Sequence, residues 1–154
     1  MSGKAIRETL AALAVVTSLV FVGYEIRQST ISARASAYQE IGLATSDLWM
    51  ILATDPEYAE LQLMAFDSTR WGEIDGTGWH QMAATLTSVM RLWETTYLQV
   101  EEGLLREDAM GRLGFAVDPH VYFQDAFDRL WQEVRPRMNA EFAAYIEQQF
   151  GATP

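Results

Sequence analysis

The first third of the chain combines a long apolar stretch with an amphipathic pattern. Residues 10–24 (LAALAVVTSLVFVGY) carry no charge, and Thr17 with Ser18 does not make a polar face. Farther along, Ile31, Ala35 and Tyr38 recur at spacings of four and three, which are typical of an amphipathic α-helix. No proline lies between residues 26 and 54. We therefore expect one continuous helix from about Lys4 to Thr54.

Two Asp-Pro pairs predict where later helices begin. Aspartate is a good N-cap and proline is favoured in the first helical turn, so helices are expected after Asp55-Pro56 and after Asp118-Pro119. Between them, residues 67–78 (DSTRWGEIDGTG) contain three glycines and scattered charges, which predicts a loop.

The clearest helical pattern of the second half follows this loop. Its apolar residues step by three or four and predict a helix that ends near Gly103. These residues are Met82, Leu86, Val89, Trp93, Tyr97, Val100 and Leu104. A short helix is expected within Leu104–Val117, a further one through Phe123 and Val134, and a last one after Pro136 that ends at Gly151.

The periodicity predicts an all-α protein. No segment alternates with a period of two, and no Asn-Gly hairpin turn is present. We expect an N-terminal transmembrane helix that continues into a bundle of about five or six helices. Residues 1–28 would form the N-terminal tail and membrane anchor, and residues 29–154 an acidic helical domain.

The anchor is predicted from length and flanking charge. At about 1.5 Å per residue, residues 10–24 span about 22 Å, which is short for a bilayer core of about 30 Å. Arg7 and Arg27 can extend their guanidinium groups to the headgroups, and Tyr24 suits the interface, so these three are the expected membrane-interface residues. A signal peptide, a buried core helix and an interfacial helix are the alternatives.

The anchor also carries a weak signal for a partner within the membrane. Ala14 and Ser18 form a small-xxx-small pair, which is compatible with close helix–helix contact. The orientation stays open, because Lys4 and Arg7 on one side nearly balance Arg27 and Arg34 on the other.

Charge narrows the possible partners of the domain. The chain has 21 acidic and 11 basic residues and a formal net charge of −10, and only one of the acidic residues, Glu8, precedes Glu25. A surface of this sign repels nucleic acid, whose binding requires phosphate neutralisation, and suits a basic partner. The sequence contains no cysteine, so disulfides and thiolate-held metals or clusters are excluded.

Few residues suggest catalytic chemistry. Neither His80 nor His120 has the Glu-x-x-His spacing of a di-metal helical site, and no His-Glu-x-x-His or glycine-rich phosphate loop occurs. We interpret both histidines as surface or capping residues, and expect no cofactor and no enzymatic activity.

One polar cluster is a candidate site on the central predicted helix. Arg91 and Glu94 are three residues apart, which allows an ion pair within the helix, and Tyr97 lies one turn farther on. Flanking the apolar stripe, Arg91, Glu94 and Tyr97 could bind a small anion. The favoured interpretation is a structural ion pair, and the ligand site is the alternative.

Three segments resemble a family of small bacterial proteins of unknown function. They are LAVVTSLVFVGYEIRQSTISARASAYQE, RLWETTYLQVEEGLLREDA and RPRMNAEFAAYIEQQF, and the resemblance covers about residues 10–55 and 90–150. It implies a membrane-anchored helical domain in the bacterial inner membrane and supplies no catalytic residue. It also implies a cytoplasmic domain, although Lys4 and Arg7 depart from the family pattern.

The expected function is that of a non-catalytic accessory or scaffolding subunit in a larger bacterial membrane complex. Its partners would be other integral membrane subunits and the lipid bilayer, and not nucleic acid. The alternative is a membrane-tethered ligand-binding or sensing domain that uses Arg91, Glu94 and Tyr97.

Overall fold

A computed structural model describes residues 3–113 and 118–152, and it confirms the all-α prediction. No strand is present in these ranges. The helices are α1 (Gly3–Thr54), α2 (Pro56–Phe66), α3 (Gly76–Glu101), α4 (Ala109–Arg112), α5 (His120–Phe123), α6 (Ala126–Val134) and α7 (Ala140–Phe150). Two short 3-10 helices, Ser68–Glu73 and Arg135–Arg137, precede α3 and α7.

The chain divides into two compact units, Met1–Ala37 and Tyr38–Pro154. The first contains the N-terminal part of α1, whose uncharged run of residues 10–24 exposes apolar side chains on every side. Its large apolar side chains are each between 45% and 68% exposed: Leu10, Leu13, Val15, Val16, Leu19, Val20, Phe21, Val22, Tyr24, Ile26 and Ile31. By length and composition, α1 is the one described helix that could cross a membrane, within Leu10–Ile51.

The hydroxyl of Thr17, within this apolar segment, forms its hydrogen bond inside the helix. The Thr17 hydroxyl donates a hydrogen bond of 2.9 Å to the carbonyl of Leu13. An apolar solvent offers no partner to a free hydroxyl, so this bond makes Thr17 compatible with a bilayer.

In the second unit, α3 is the central helix and contacts α4, α6 and α7. Met82, Leu86 and Trp93 of the predicted apolar stripe are buried. Met90, which was not part of the prediction, is also buried, and Val89 is only half-buried. The core is completed by buried side chains of α6 (Phe127, Leu130, Trp131 and Val134) and of α7 (Phe142 and Ile146). This helical bundle follows the long apolar helix, as the sequence predicts.

Local capping explains where α2 and α7 begin. The Asp55 side chain accepts bonds from the backbone N–H groups of Glu57 and Tyr58, and Pro56 is the first residue of α2, as predicted. At α7, the Asn139 side chain accepts from the N–H groups of Glu141 and Phe142. Gly151 follows α7 in the left-handed conformation that favours glycine.

Three segments differ in part from the sequence-based expectations. The predicted loop of residues 67–78 contains a 3-10 helix and the first turn of α3, because Asp67 and Asp75 each cap a helix. The helix expected through Phe123 is interrupted at Gln124, whose φ of 50° is incompatible with a right-handed helix. Of the short helix expected within Leu104–Val117, only α4 is seen, and residues 114–117 lie outside the described ranges.

The two boundaries along α1 have different meanings. The predicted limit after Gln28 separates residues suited to lipid from residues suited to water. The division after Ala37 separates units by the contacts within each of them. The predicted domain limit therefore stays a prediction.

Candidate functional site

The Glu94 carboxylate is buried among the apolar residues of α3 and α7. Its side chain is 7% exposed, and one oxygen lies 2.6 Å from Nη1 of Arg91. The other oxygen accepts a hydrogen bond from the backbone N–H of Asn139. A buried carboxylate is stable only when it is paired and hydrogen-bonded, and Glu94 meets both conditions.

Arg91 extends the same link toward the C-terminal part of the bundle. Its Nη2 donates to the backbone carbonyl of Arg137. Two residues one turn apart on α3 therefore hold both ends of the short connection from Arg137 to Asn139. We call Arg91, Glu94, Arg137 and Asn139 the α3–α7 clamp.

A second ion pair joins the 3-10 helix Arg135–Arg137 to α7. The Arg135 guanidinium bonds to the carboxylate of Glu147 in α7. This hydrogen bond is the main cause that lowers the pKa of Glu147, and the positive charge of Arg135 adds to it while burial opposes it. Glu94 of α3 thus bonds the residue that precedes α7, and Arg135 of the 3-10 helix bonds the C-terminal half of α7.

Tyr97 does not join the clamp. Its ring packs at a tilt against two aromatic rings of α7, with centroid distances of 5.0 Å to Tyr145 and 5.7 Å to Phe142. Burial raises the pKa of the Tyr97 hydroxyl, and the negative charges of Glu101 and Glu141 raise it further. Of the three predicted site residues, the structure brings Arg91 and Glu94 together and places Tyr97 in an aromatic contact.

The arrangement of this cluster favours a structural role over ligand binding. Glu94 is already engaged on both carboxylate oxygens, and Arg91 uses one nitrogen on Glu94 and another on a backbone carbonyl. A small anion would have to compete with these internal partners. The clamp therefore serves first to fix the position of α7 against α3.

His120 is the first residue of α5 and lies in a small polar cluster. Its Nδ1 lies 2.6 Å from Asp118 Oδ1, its backbone N–H donates to the same oxygen at 2.9 Å, and its Nε2 lies 3.5 Å from Asp128 Oδ1. Burial tends to raise the pKa of Asp118, but the bonds from His120 and its charge lower it overall. His80 is exposed at the first turns of α3.

No metal centre is evident among residues 3–113 and 118–152. No three side chains of His, Asp or Glu in these ranges lie close enough together to hold an ion.

A cation–π contact is a feature that sequence analysis missed. The guanidinium carbon of Arg129 lies 3.7 Å from the ring centre of Trp79 and 5.7 Å from that of Trp71. The two tryptophans meet edge to face, and Trp71 Nε1 donates to the carbonyl of Ala65. The contact joins α6 to the start of α3, and the only sequence signal for it was the abundance of Trp and Arg.

The clamp was also only half predicted. The spacing of Arg91 and Glu94 predicts their pairing, but Asn139 and Arg137 follow more than 40 positions later. Asn139 could have been identified as a helix start, because an N-cap asparagine followed by an acidic residue in the first turn is a known signal.

The residues predicted for the membrane lie on α1. Arg7, Tyr24 and Arg27 are exposed, and they lie near the two ends of the uncharged run. Ala14 and Ser18 are exposed one turn apart, so they share a face of the helix.

Comparison with protein families, with curated proteins and with solved structures finds no significant similarity to this chain. The family resemblance of residues 10–55 and 90–150 therefore stays a prediction. Any function must be argued from the residues and geometry described above.

Proposed function

We propose that this protein is a single-pass membrane protein that acts as a non-catalytic accessory or scaffolding subunit of a larger complex in the bacterial inner membrane. The main supporting observation is that the uncharged part of α1 exposes apolar side chains on all sides. In water such a helix would leave a large apolar surface uncovered, whereas lipid tails or other transmembrane helices would cover it.

The short length of the uncharged run supports a partner within the membrane. Fifteen helical residues reach about 22 Å, so the segment spans a bilayer only with local thinning or with neighbouring helices that shield its ends. Ala14 and Ser18 give one face of α1 the small side chains that close helix packing requires.

The arrangement of the bundle supports a scaffolding role. The predicted polar residues Arg91 and Glu94 hold helices together. The acidic surface offers charge for recognition of a basic partner.

Membrane insertion is tested by placing a charge inside the run. An arginine at the centre of a transmembrane helix costs about 2.5–3.5 kcal/mol, so Val16→Arg combined with Leu19→Arg should move the protein out of the carbonate-resistant membrane fraction. Gln39→Arg, at an exposed position of α1 beyond the run, is the control and should stay with the membrane. Equal membrane retention of both variants would contradict the anchor.

Assembly is tested separately on the unaltered protein. We expect extraction of source membranes in mild detergent, followed by native electrophoresis, to give a species much larger than the 17.4 kDa chain with its detergent. Migration as a monomer under all mild conditions would refute the subunit proposal and leave the anchor intact. Protease protection in sealed vesicles would then establish which face carries the bundle.

A ligand-binding or sensing domain is the second candidate, and one observation favours it. An open groove of about 500 Å³ between the C-terminal part of α1 and α3 is lined by Arg91 together with Asp47, Leu48 and Leu92. A small anion at this groove should raise the unfolding temperature of the wild-type protein and not that of Arg91→Ala. An equal response of both proteins would exclude Arg91 as the binding residue.

A further inference from the structure

A second open groove, between α2 and the start of α3, combines an apolar floor with an acidic rim. Its volume is about 650 Å³. The floor is formed by Leu61, Met64 and Ile74, and the rim carries the carboxylates of Glu57, Glu60, Glu73 and Asp75. We call these seven residues the acidic groove.

Close helix packing creates the floor. Gly78 lies where α3 approaches α2, and a Cβ atom added there would lie 2.8 Å from Cγ2 of Ile74 and 2.9 Å from Cδ1 of Leu61. Because glycine has no side chain, Ile74 and Leu61 can both lie against the α3 backbone at this point, and both line the groove.

The rim already binds one guanidinium group from the protein itself. Arg70 Nη2 lies 3.0 Å from Glu60 Oε1 and 3.1 Å from Glu73 Oε2. The hydrogen bonds that Arg70 donates to Glu73 and then to Glu60 raise the pKa of Arg70, as negative surroundings should. Arg70 thus shows that Glu60 and Glu73 are placed to bind a guanidinium group.

Arg70 leaves the rim strongly negative. Among the described residues, the Glu57 carboxylate forms no ion pair, and the Asp75 carboxylate accepts a hydrogen bond from the backbone N–H of Gly78. The groove is thus lined by four carboxylates, of which Arg70 pairs with two, in a protein whose formal net charge is −10. Such a surface attracts cations and repels acidic segments.

We infer that the acidic groove is a docking site for a basic amphipathic helix of a partner protein. Its apolar residues would contact Leu61 and Met64, and its Lys or Arg side chains would reach Glu57 and Asp75. Amphipathic helices bind open apolar grooves in this way, whereas small ligands prefer concave pockets that enclose most of their surface. The inference rests on the proposed function, because it names the chemistry of the partner.

The test uses the full chain in nanodiscs of zwitterionic lipid with labelled methionine and isoleucine methyl groups. The probe is a short amidated peptide of leucine and lysine at amphipathic helical spacing, and the control peptide has glutamate in place of lysine. We expect the lysine peptide to shift the signals of Met64 and Ile74 saturably. The signals of Met138 and Ile146, which are buried elsewhere, should stay unchanged.

A matched pair of variants tests the charge. Glu57 and Glu141 both lie in the first turn of an eleven-residue helix, and in each case the backbone N–H bonds to the N-cap side chain. From the energy of a surface charge pair, Glu57→Gln should weaken peptide binding about threefold and Glu57→Lys about tenfold. Glu141→Gln should bind like the wild type.

Several results would overturn the inference. They are shifts of equal size with the glutamate peptide, equal weakening by Glu57→Gln and Glu141→Gln, or no saturable shift at Met64. Shifts at Met64 that depend on protein concentration without peptide would identify a second copy of this chain as the occupant instead. Because this assay uses purified protein, it can fail while native electrophoresis still finds a large complex, and the reverse can also occur.

Discussion

Gly78 offers the sharpest test of how α2 and α3 pack. It is the third residue of α3, and its backbone N–H donates to the N-cap Asp75 at 2.7 Å. Gly76, the first residue of the same helix, has no atom within 4 Å of an added Cβ. Gly78→Ala and Gly76→Ala therefore add the same methyl group to the same helix turn, but only at Gly78 does it meet neighbouring atoms.

The expected magnitude follows from the distances. Carbon atoms in contact normally lie about 3.5–4.0 Å apart, whereas the Cβ of Gly78→Ala would lie 2.8 Å from Ile74 Cγ2. Ile74 is buried and β-branched, so this methyl group cannot rotate away as freely as Leu61 Cδ1. Overpacking costs about 1–3 kcal/mol and the gain in helix propensity is at most about 1 kcal/mol, so we expect a net loss of about 1–2 kcal/mol.

Thermal unfolding of the full chain in mild detergent, followed by circular dichroism, measures this loss. For a chain of this size, 1 kcal/mol corresponds to about 2–4 °C, and Gly76→Ala should unfold within about 1 °C of the wild type. In an Ile74→Ala background the clash with Cγ2 is gone, so the cost of Gly78→Ala should shrink. Equal unfolding temperatures for Gly78→Ala and Gly76→Ala, or an unchanged cost in that background, would refute the reasoning.

Three further substitutions test other contacts. Glu94→Ala should lower the free energy of unfolding in urea by about 3 kcal/mol, because it leaves Arg91 and the Asn139 N–H without their acceptor. Glu101→Ala, at an exposed position of the same helix, should cost less than about 0.5 kcal/mol. Similar costs for the two variants would contradict the clamp. The pKa of Glu147 is lowered by Arg135, so its stabilisation is present above the unfolded pKa of about 4.3 and is lost as the pH falls through the lower folded value. Glu147→Gln should therefore flatten the loss of stability in acid, and an unchanged slope would refute this. Arg129→Ala should cost about 0.5–1 kcal/mol and alter tryptophan fluorescence; an unchanged spectrum would argue against the cation–π contact.

Features set by neighbours in the sequence could be predicted. The start of α2 follows from Asp55 and Pro56, because an N-cap acts within three residues. The apolar part of α1 follows from an uninterrupted run of uncharged residues. The buried stripe of α3 follows in part from periodicity, which reflects how one face of a helix meets its surroundings. The pairing of Arg91 with Glu94 belongs to the same class, since residues three apart are neighbours on a helix.

Features that depend on residues distant in the sequence could not be predicted. The bond from Asn139 to Glu94 depends on the path of the chain between α3 and α7, and no local pattern specifies that path. The same holds for Arg129 and Trp79, and for the position of Gly78 against Ile74 and Leu61. The structural interpretation of Arg91 and Glu94 was the favoured one, yet their backbone partners became visible only in three dimensions.

The α3–α7 clamp has a consequence for how the protein is made. Helix α7 is synthesised after α3, so Glu94 leaves the ribosome well before the backbone N–H of Asn139 that bonds its carboxylate. During that interval α3 exposes the Glu94 carboxylate and the apolar residues that will later contact α7. The core of the bundle still lacks the side chains of α7. A chain truncated before Asn139 would keep this exposed face permanently, and such faces are where aggregation and proteolysis begin. Glu94 thus makes the closing of the bundle depend on the synthesis of Asn139 and α7.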